Sequence, residues 1–251
     1  MKKLSLAKKI CVLFVALGAF CRAAQAREFY WESPELVSSA EAMSPKSVSN
    51  GTQTYGFWQE IDSARHQIFL SVRYMLPDGT WSTNSRFAGP FSYAGEIPDL
   101  YSASLSSSGT VVVSVLSSAN RISAYVSEDK CRSFRRFDFA EEDGEFLAPR
   151  VFARRDGSFM LFCSLARETS VGASAILTHN FYLYAAHSAD GITWSPFRQI
   201  FGSEKYRNSF SPVLASAPDG DYLIFQSQSQ KKDFISGRKA ITYLDLFAGA
   251  G

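Results

Sequence analysis

Acidic and basic side chains recur in the polar segments of this sequence, and their combination could act on a sugar acid. The candidates are four carboxylates and three guanidinium groups: Glu60, Asp62, Glu96, Asp99, Arg65, Arg150 and Arg167. A carboxylic acid can protonate a leaving oxygen while a second carboxylate activates a nucleophile. Guanidinium groups hold a carboxylate through paired hydrogen bonds. These residue types therefore suit hydrolysis or recognition of an acidic sugar.

Histidine and cysteine are too scattered to suggest a metal site. The histidines are His66, His179 and His187, and beyond residue 26 the cysteines are Cys131 and Cys163. Their spacing matches no metal-ligand motif, and two cysteines do not make a disulfide framework. We therefore predict neither a metal nor another cofactor. Whether Cys131 pairs with Cys163 stays open, although export would permit the bond.

The first 26 residues have the order of a secretory signal peptide. Four lysines precede the apolar run Ile10–Phe20, and Ala24-Gln25-Ala26 is a small-x-small cleavage site. The apolar run is too short to span a bilayer, and no later segment approaches that length. We therefore predict export to the periplasm or the extracellular space, with no transmembrane segment after leader cleavage. A lipoprotein anchored at Cys21 is a minor alternative, because Phe20 stands where a small residue is expected.

The charge balance excludes one class of partner. The chain of 251 residues carries 26 lysines and arginines against 24 acidic residues, a formal net charge of +2. Five of the basic residues and none of the acidic ones lie in residues 1–26, so the remaining chain has 21 basic and 24 acidic residues. A mildly acidic chain has no electrostatic footprint for phosphate backbones. We predict no nucleic-acid partner.

A repeat organises the rest of the chain. Proline-led segments recur at Pro45, Pro98, Pro149 and Pro212, and each is followed by a turn pair such as Asn50-Gly51. The turn pairs tolerate the positive φ of two-residue hairpins, and strands rich in β-branched and aromatic residues follow them. Four short strands in each period of 50 to 60 residues are typical of a β-propeller blade. A β-sandwich is the alternative fold.

The phase of the repeats predicts the domain layout. After the signal peptide, residues 27–251 form one all-β domain with four-stranded antiparallel blades, its repeats lying near 44–91, 97–139, 148–201 and 211–247. Trp31-Glu32-Ser33-Pro34 resembles Trp194-Ser195-Pro196 at the start of a fourth strand. Residues 28–37 are therefore a candidate closing strand for the last blade. A closed ring of four blades and a part of a larger, six-bladed ring both fit.

Three turns share an acidic residue and an aromatic residue. They are Asp78 with Trp81, Asp129 with Phe134 and Asp190 with Trp194. The segment Ser127–Phe134 matches Ser-x-Asp-x-Gly-x-x-aromatic except that Cys131 replaces glycine, and Ser188–Trp194 is one residue shorter. With the proline-led strands, this resembles the sialidase-like Asp-box (BNR repeat) β-propeller family. We expect these aspartates to bond backbone N–H groups and the rings to fill gaps between blades.

The resemblance implies roles for the charged residues. In sialidases a tyrosine nucleophile is assisted by a glutamate, an aspartate is the acid/base, and three arginines hold the substrate carboxylate. On this pattern Asp62 is the acid/base candidate, and Glu60 and Glu96 are its possible partners. The substrate-binding candidates are Arg65, Arg150, Arg167 and Asp99. The sequence departs from the family because Arg-x-Pro occurs at no repeat: the four positions are Met43, Glu96, Leu147 and Phe210.

Two functions therefore stay open, both with a glycan or glycoprotein partner. One is a secreted glycoside hydrolase of the exo-sialidase type, catalytically complete or incomplete, and the other is a non-catalytic propeller that binds glycan or protein. Five-bladed furanosidase-type enzymes are a third resemblance, through Tyr182-Leu183-Tyr184 before the turn at Asp190. Their expected pair of inner-strand carboxylates is matched here only at Asp99.

Overall fold

The computed structural model describes residues 41–141, 144–171, 176–202, 206–217, 220–232 and 239–250. The predicted signal peptide and the candidate closing strand at 28–37 lie outside these ranges. The secondary structure of the described residues is all β, with these strands: β1 (Ala42–Ser49), β2 (Thr54–Asp62), β3 (Gln67–Tyr74), β4 (Ser85–Ser92), β5 (Tyr101–Leu105), β6 (Val111–Ser118), β7 (Arg121–Ser127), β8 (Arg135–Ala140), β9 (Glu145–Ala153), β10 (Phe159–Val171), β11 (Ile176–Ser188), β12 (Arg198–Phe201), β13 (Tyr206–Ala217), β14 (Gly220–Lys232) and β15 (Lys239–Ala250). None of these residues forms a helix that could cross a membrane.

The strands form antiparallel meanders in chain order. Three sheets have four strands each, β1–β4, β5–β8 and β9–β12, and β13, β14 and β15 make a further sheet of three described strands. The first strands of successive sheets contact each other, β1 with β5, β5 with β9, and β9 with β13. Sheets that meet through their first strands are the blades of a β-propeller. The prediction of four-stranded antiparallel blades is confirmed.

Alternation along the strands places apolar side chains on both faces of the second sheet. In β6, Val111, Val113 and Val115 pack with Tyr55 of the first sheet, whereas Val112 belongs to the core shared with Phe159 of the third sheet. Successive side chains of a strand point to opposite faces, so a run of valines can supply two cores. Buried side chains of this size each contribute about 1.5–3 kcal/mol by leaving water. This two-sided burial locks neighbouring blades together.

The innermost strands share a distortion at the residue before proline. Ser44, Ala148 and Ser211 have φ values of 52°, 46° and 53°, and the strand register shifts at each of these points. Such a bulge inserts an extra residue and changes the direction of the following side chains. A non-glycine residue at positive φ costs about 1–3 kcal/mol, which the surrounding sheet must offset. The bulge thereby sets the direction in which the side chains after the prolines point, including those of Lys46 and Arg150.

Buried and half-buried polar side chains hydrogen-bond neighbouring blades to each other near the inner strands. Gln59 of β2 donates from Nε2 to the Pro98 carbonyl oxygen at 3.0 Å, and its Oε1 accepts from the Leu100 N–H at 2.9 Å. The Ser104 hydroxyl accepts from the Ala153 N–H at 2.7 Å. Because unpaired polar groups are costly when buried, these bonds hold the inner strands in one relative position.

The aspartates of the three turns accept backbone hydrogen bonds. Oδ1 of Asp129 accepts from the N–H of Ser133 at 3.0 Å, and Oδ1 of Asp190 accepts from the N–H of Thr193 at 2.8 Å. Asp78 makes the shorter version, with the Thr80 N–H at 2.9 Å. The Ser133 hydroxyl, together with the turn amides, lowers the pKa of Asp129 to about 2. These contacts fix the loops between third and fourth strands.

Two of the three aromatic residues of the turns contact the preceding blade, whereas the Trp81 ring lies over Gly56 of its own blade. Phe134 stacks on Phe87 of the first sheet, with ring centroids 4.3 Å apart. Trp194 meets Phe139 of the second sheet at 5.8 Å and donates from Nε1 to the Gly191 carbonyl oxygen at 2.8 Å. Both rings therefore lie against the preceding blade, where aromatic burial is most stabilising.

The two described cysteines are separate. Cys131 and Cys163 are free thiols, buried in different core clusters. Burial raises the pKa of the Cys131 thiol to about 12 and that of Cys163 well above its ordinary value. Thiols held in the protonated form are poor nucleophiles, so both act as small apolar core residues.

Candidate functional site

Three charged residues from three blades meet where the inner strands converge. Lys46 follows Pro45, Asp99 follows Pro98 and Arg150 follows Pro149, so all three occupy the same place in the repeat. The Nζ of Lys46 lies 2.6 Å from Oδ1 of Asp99, and Nη2 of Arg150 lies 3.8 Å from Oδ2 of Asp99. We call these three residues the axial cluster. Its two cations share one carboxylate, which leaves one formal positive charge.

Tyr101 is the platform that holds the lysine of the axial cluster. The Nζ of Lys46 lies 4.1 Å from the centroid of the Tyr101 ring and donates to the Tyr101 carbonyl oxygen. The Tyr101 hydroxyl donates to the carbonyl oxygen of Ser44, the bulge residue of β1, at 2.7 Å. A cation above an aromatic face is stabilised by the ring quadrupole. The bulge, the tyrosine and the lysine therefore form one connected unit.

The electrostatics of the axial cluster suit an anion. Burial, opposed by the Asp99 carboxylate, lowers the pKa of Lys46. The side chains of Lys46, Asp99 and Arg150 are 27%, 42% and 33% exposed, so an incoming ligand can reach all three. A half-exposed pair of cations competing for one carboxylate has unused hydrogen-bonding capacity. The arrangement can accept a further carboxylate or a similar anionic oxygen group.

Glu60 lies in a different environment. Its carboxylate is buried on β2, where Oε2 accepts from Arg86 Nε at 2.6 Å and Oε1 from Asn84 Nδ2 at 2.5 Å. Trp58 Nε1 also donates to Oε1, at 3.2 Å. Burial raises the pKa of Glu60, but the hydrogen bonds, led by Arg86, outweigh it and lower the pKa overall. A carboxylate held ionised by several donors positions its neighbours and is a poor proton donor.

Asp62 and Arg65 form a local pair in the turn between β2 and β3. Oδ2 of Asp62 accepts from Arg65 Nη1 at 2.7 Å, and Oδ1 accepts from the Arg65 N–H at 3.1 Å. Arg65 is strongly exposed and Asp62 partly so, and the arginine side chain holds the pKa of Asp62 below its usual value. The structure thus places the acid/base candidate beside one of its predicted arginines, five residues along β2 from Phe57, the strand partner of Lys46.

The remaining candidates are dispersed. Glu96 is exposed in the segment between β4 and β5. Arg167 belongs to β10, opposite Asn180 of β11, but its side chain lies outside the described part. The structure therefore brings together Asp99 with Arg150, and Asp62 with Arg65. Sequence reasoning named neither Lys46 nor Arg86 as a site residue; for Lys46 the signal was its place directly after a repeat proline.

Metal-ligating side chains do not cluster in the described ranges. No group of three or more histidine, cysteine or acidic side chains with suitable spacing occurs among these residues.

Comparison with known proteins gives matches among solved structures only. No family model and no curated protein matches the chain. The α-L-arabinanase of Cellvibrio cellulosa is 12% identical, with a TM-score of 0.41, 82% of this chain covered and 72% of that one. The GH93 α-L-arabinofuranosidase of Fusarium graminearum is 16% identical, with a TM-score of 0.49, 81% of this chain covered and 60% of that one. The NanB sialidase of Streptococcus pneumoniae is 13% identical, with a TM-score of 0.39, 70% of this chain covered and 28% of that one.

These similar structures are propeller glycoside hydrolases, and the chain spans 60% of the arabinofuranosidase and 28% of the sialidase. Such low identities and TM-scores carry no inference about activity. The assignment to the β-propeller fold rests on the strand order and on the contacts between inner strands.

Proposed function

We propose that this chain is an exported propeller that recognises acidic extracellular glycans through the axial cluster. The observation that carries the proposal is the convergence of Lys46, Asp99 and Arg150 from equivalent repeat positions onto one point, with a net positive charge. The chain beyond residue 26 is mildly acidic as a whole, so this local positive charge is not a consequence of general basicity. A carboxylated sugar ligand supplies the anionic oxygens that such a cluster binds.

The test is a binding measurement on the exported protein. The full chain, leader included, is expressed in a bacterial host, and the periplasmic fraction and medium are assayed for the processed protein. The purified product is then applied to a glycan array of sialylated, uronic-acid, sulfated and neutral glycans. We expect export and selective binding of carboxylated glycans. Retention of the unprocessed chain in the cytoplasm would contradict export, and equal binding of neutral glycans would contradict the recognition proposal.

Variants connect the binding to the cluster. Lys46→Gln and Arg150→Gln each remove one cation and should weaken binding about tenfold, the effect of one charged hydrogen bond. Arg135→Gln is the matched control, because Arg135 pairs with Glu128 on an exposed surface outside the cluster. An equal loss in the control variant would show that the effect is one of general charge.

A sialidase-type glycoside hydrolase is the second candidate, favoured by the partly exposed carboxylate of Asp62 next to the Arg65 guanidinium. Most glycoside hydrolases use two carboxylates about 5–10 Å apart on the scissile bond, whereas sialidases use a tyrosine as the nucleophile and one aspartate as the acid/base. Among the described members of the axial cluster, Asp99 is the one carboxylate. Release of 4-methylumbelliferone from a fluorogenic sialoside, abolished by Asp62→Ala, would establish hydrolysis. Binding without turnover, unchanged in Asp62→Ala, would leave recognition as the function.

A further inference from the structure

A pocket lies between the first and the second blade, at the end of the blades that carries the turns of Asp78 and Asp129. Its volume is about 470 Å³. Pockets for small ligands measure roughly 300–1,000 Å³. The lining comes from residues 51–55 and 74–77 of the first blade and from Lys130 and Arg132 of the second. None of these residues belongs to the axial cluster, so this is a separate site.

Hydrogen bonds hold the walls of this pocket in fixed positions. Asn50 Oδ1 accepts from the Gln53 N–H at 3.0 Å, and Asn50 Nδ2 donates to the Ser106 carbonyl oxygen of the second blade at 3.1 Å. On the second blade, the Ser127 hydroxyl accepts from the N–H of Cys131, the residue between the two basic side chains, at 2.9 Å. A site whose walls are already fixed loses little conformational entropy when it binds a ligand.

Lys130 and Arg132 give the pocket its charge. Both residues are exposed, and neither forms an ion pair with a carboxylate of the described residues. The acidic residues of the same turn have other partners, since Glu128 pairs with Arg135 and Asp129 accepts hydrogen bonds from its own turn. The two cations therefore keep their hydrogen-bonding capacity for an anionic group.

The first blade contributes an apolar wall. Tyr74 and Leu76 are half-buried there, and the Tyr74 ring lies 6.4 Å from that of the buried Tyr55. Asp78, the acidic residue of the adjoining turn, accepts from the N–H and the hydroxyl of Thr80. An apolar wall and two cations in one pocket suit a molecule with an apolar body and one anionic group.

We infer that this pocket binds a small amphipathic organic anion, with its carboxylate, sulfate or sulfonate group at Lys130 and Arg132 and its apolar body against Tyr74 and Leu76. The two charged donors orient the anionic group, and the apolar contact removes hydrocarbon surface from water. The site goes beyond the proposed function and does not depend on it, because the pocket and the axial cluster share no residue.

Two fluorescent probes that differ in one group test the role of the cations. 8-Anilinonaphthalene-1-sulfonate carries an anionic sulfonate, and N-phenyl-1-naphthylamine is the same aromatic body without it. Lys130→Gln and Arg132→Gln should each weaken binding of the sulfonate about tenfold and leave that of the neutral probe unchanged. Arg135→Gln, which removes a charge from the same turn outside the pocket, is the matched control. No sulfonate binding by the wild type, no loss in the two pocket variants, or an equal loss in the control would overturn the inference.

A substitution in the apolar wall tests where the body of the ligand lies. Leu76→Gln adds a polar group without changing the charge and should weaken both probes about fivefold. Ile192→Gln makes the same kind of change at a half-buried residue in the corresponding turn of the third blade, and should leave both affinities unchanged. Unchanged binding in Leu76→Gln, or equal weakening in Ile192→Gln, would overturn the placement of the apolar body in this pocket.

Discussion

The carboxylates of Glu60 and Asp99 both form ion pairs with basic side chains, but their surroundings differ. Glu60 is 3% exposed and accepts hydrogen bonds from Arg86, Asn84 and Trp58. Asp99 is 42% exposed and is shared between Lys46 and Arg150, with the arginine 3.8 Å away. The carboxylate of Glu60 is enclosed by donors, whereas Asp99 lies between two incompletely used cations.

The difference separates a structural ion pair from a ligand site. Bringing the Glu60 carboxylate out of water is costly, so its donors must all stay in place. Asp99 keeps its hydration, and its ion pairs contribute little to stability because solvent screens them. We therefore expect changes at Glu60 to affect folding and changes at the axial cluster to affect binding.

The largest effect is expected at Glu60. Glu60→Gln removes the charge that Arg86 and Asn84 bind and should lower the free energy of unfolding by about 2–3 kcal/mol. This lies below the roughly 3–5 kcal/mol of a fully buried broken pair, because Arg86 is half exposed. Urea denaturation measures the change, with Asp99→Asn as the matched control, for which we expect less than about 1 kcal/mol. Equal losses of unfolding free energy in the two variants would show that Glu60 and Asp99 do not differ in their contribution to stability.

Lowering the pH should also reveal the contribution of the buried Glu60 carboxylate to stability. The pKa of Glu60 is lower in the folded chain than in the unfolded one, so its contribution to stability is complete above about pH 4.3 and is lost as the pH falls through the folded value. The melting temperature of the wild type should therefore decline more steeply between pH 5 and 3, roughly the range of carboxylate titration, than that of Glu60→Gln. Parallel declines would show that other carboxylates control acid unfolding.

Alkaline conditions probe the axial cluster instead. Burial lowers the pKa of Lys46, so this lysine loses its charge at a lower pH than an ordinary lysine. Binding of a sialylated ligand should fall by up to about tenfold as the pH rises through that value. Calorimetric titration of the wild type and of Lys46→Arg, whose guanidinium stays charged, measures this. A decline of the same size in Lys46→Arg would exclude the lysine as its source.

The smallest effect is expected from neutralising Asp99. Asp99→Asn leaves Lys46 and Arg150 with two uncompensated positive charges and should strengthen binding of a carboxylated ligand about two- to threefold. Titration with 3′-sialyllactose at low and high salt measures the gain, which should shrink as salt screens the charges. Weaker binding in this variant would mean that Asp99 orients the two cations. Asp99 and Glu60 would then differ less, because both would position neighbouring side chains.

The sequence alone predicted the propeller blades because their signals are local. Turn pairs, alternating β-branched residues and recurring prolines are each readable within a few residues. The strand β10 still runs to Val171, beyond the short strand expected there, since its pairing with β11 continues along the backbone. The pairing partner, rather than the sequence of β10 itself, sets that length.

The candidate site was less predictable because it depends on contacts between blades. The sequence shows that the loops of the first blade contain charged residues, but it does not show their surroundings. Glu60 and Asp62 are two residues apart and have opposite environments. Glu60 is enclosed by Arg86 and Asn84, whereas Asp62 lies in an exposed turn. Arg86 is 26 residues from Glu60 in sequence. No local pattern predicts that pairing, since it arises from β4 returning beside β3.

The sequence by itself determined the repeat, the turns and the placing of Lys46, Asp99 and Arg150 after successive prolines. Only the tertiary structure decided that these three side chains meet and that Glu60 is enclosed. The reason is physical: backbone conformation follows from neighbouring residues, whereas the free energy of a charge depends on how much water and which partners surround it. Both are set by strands far apart in the chain.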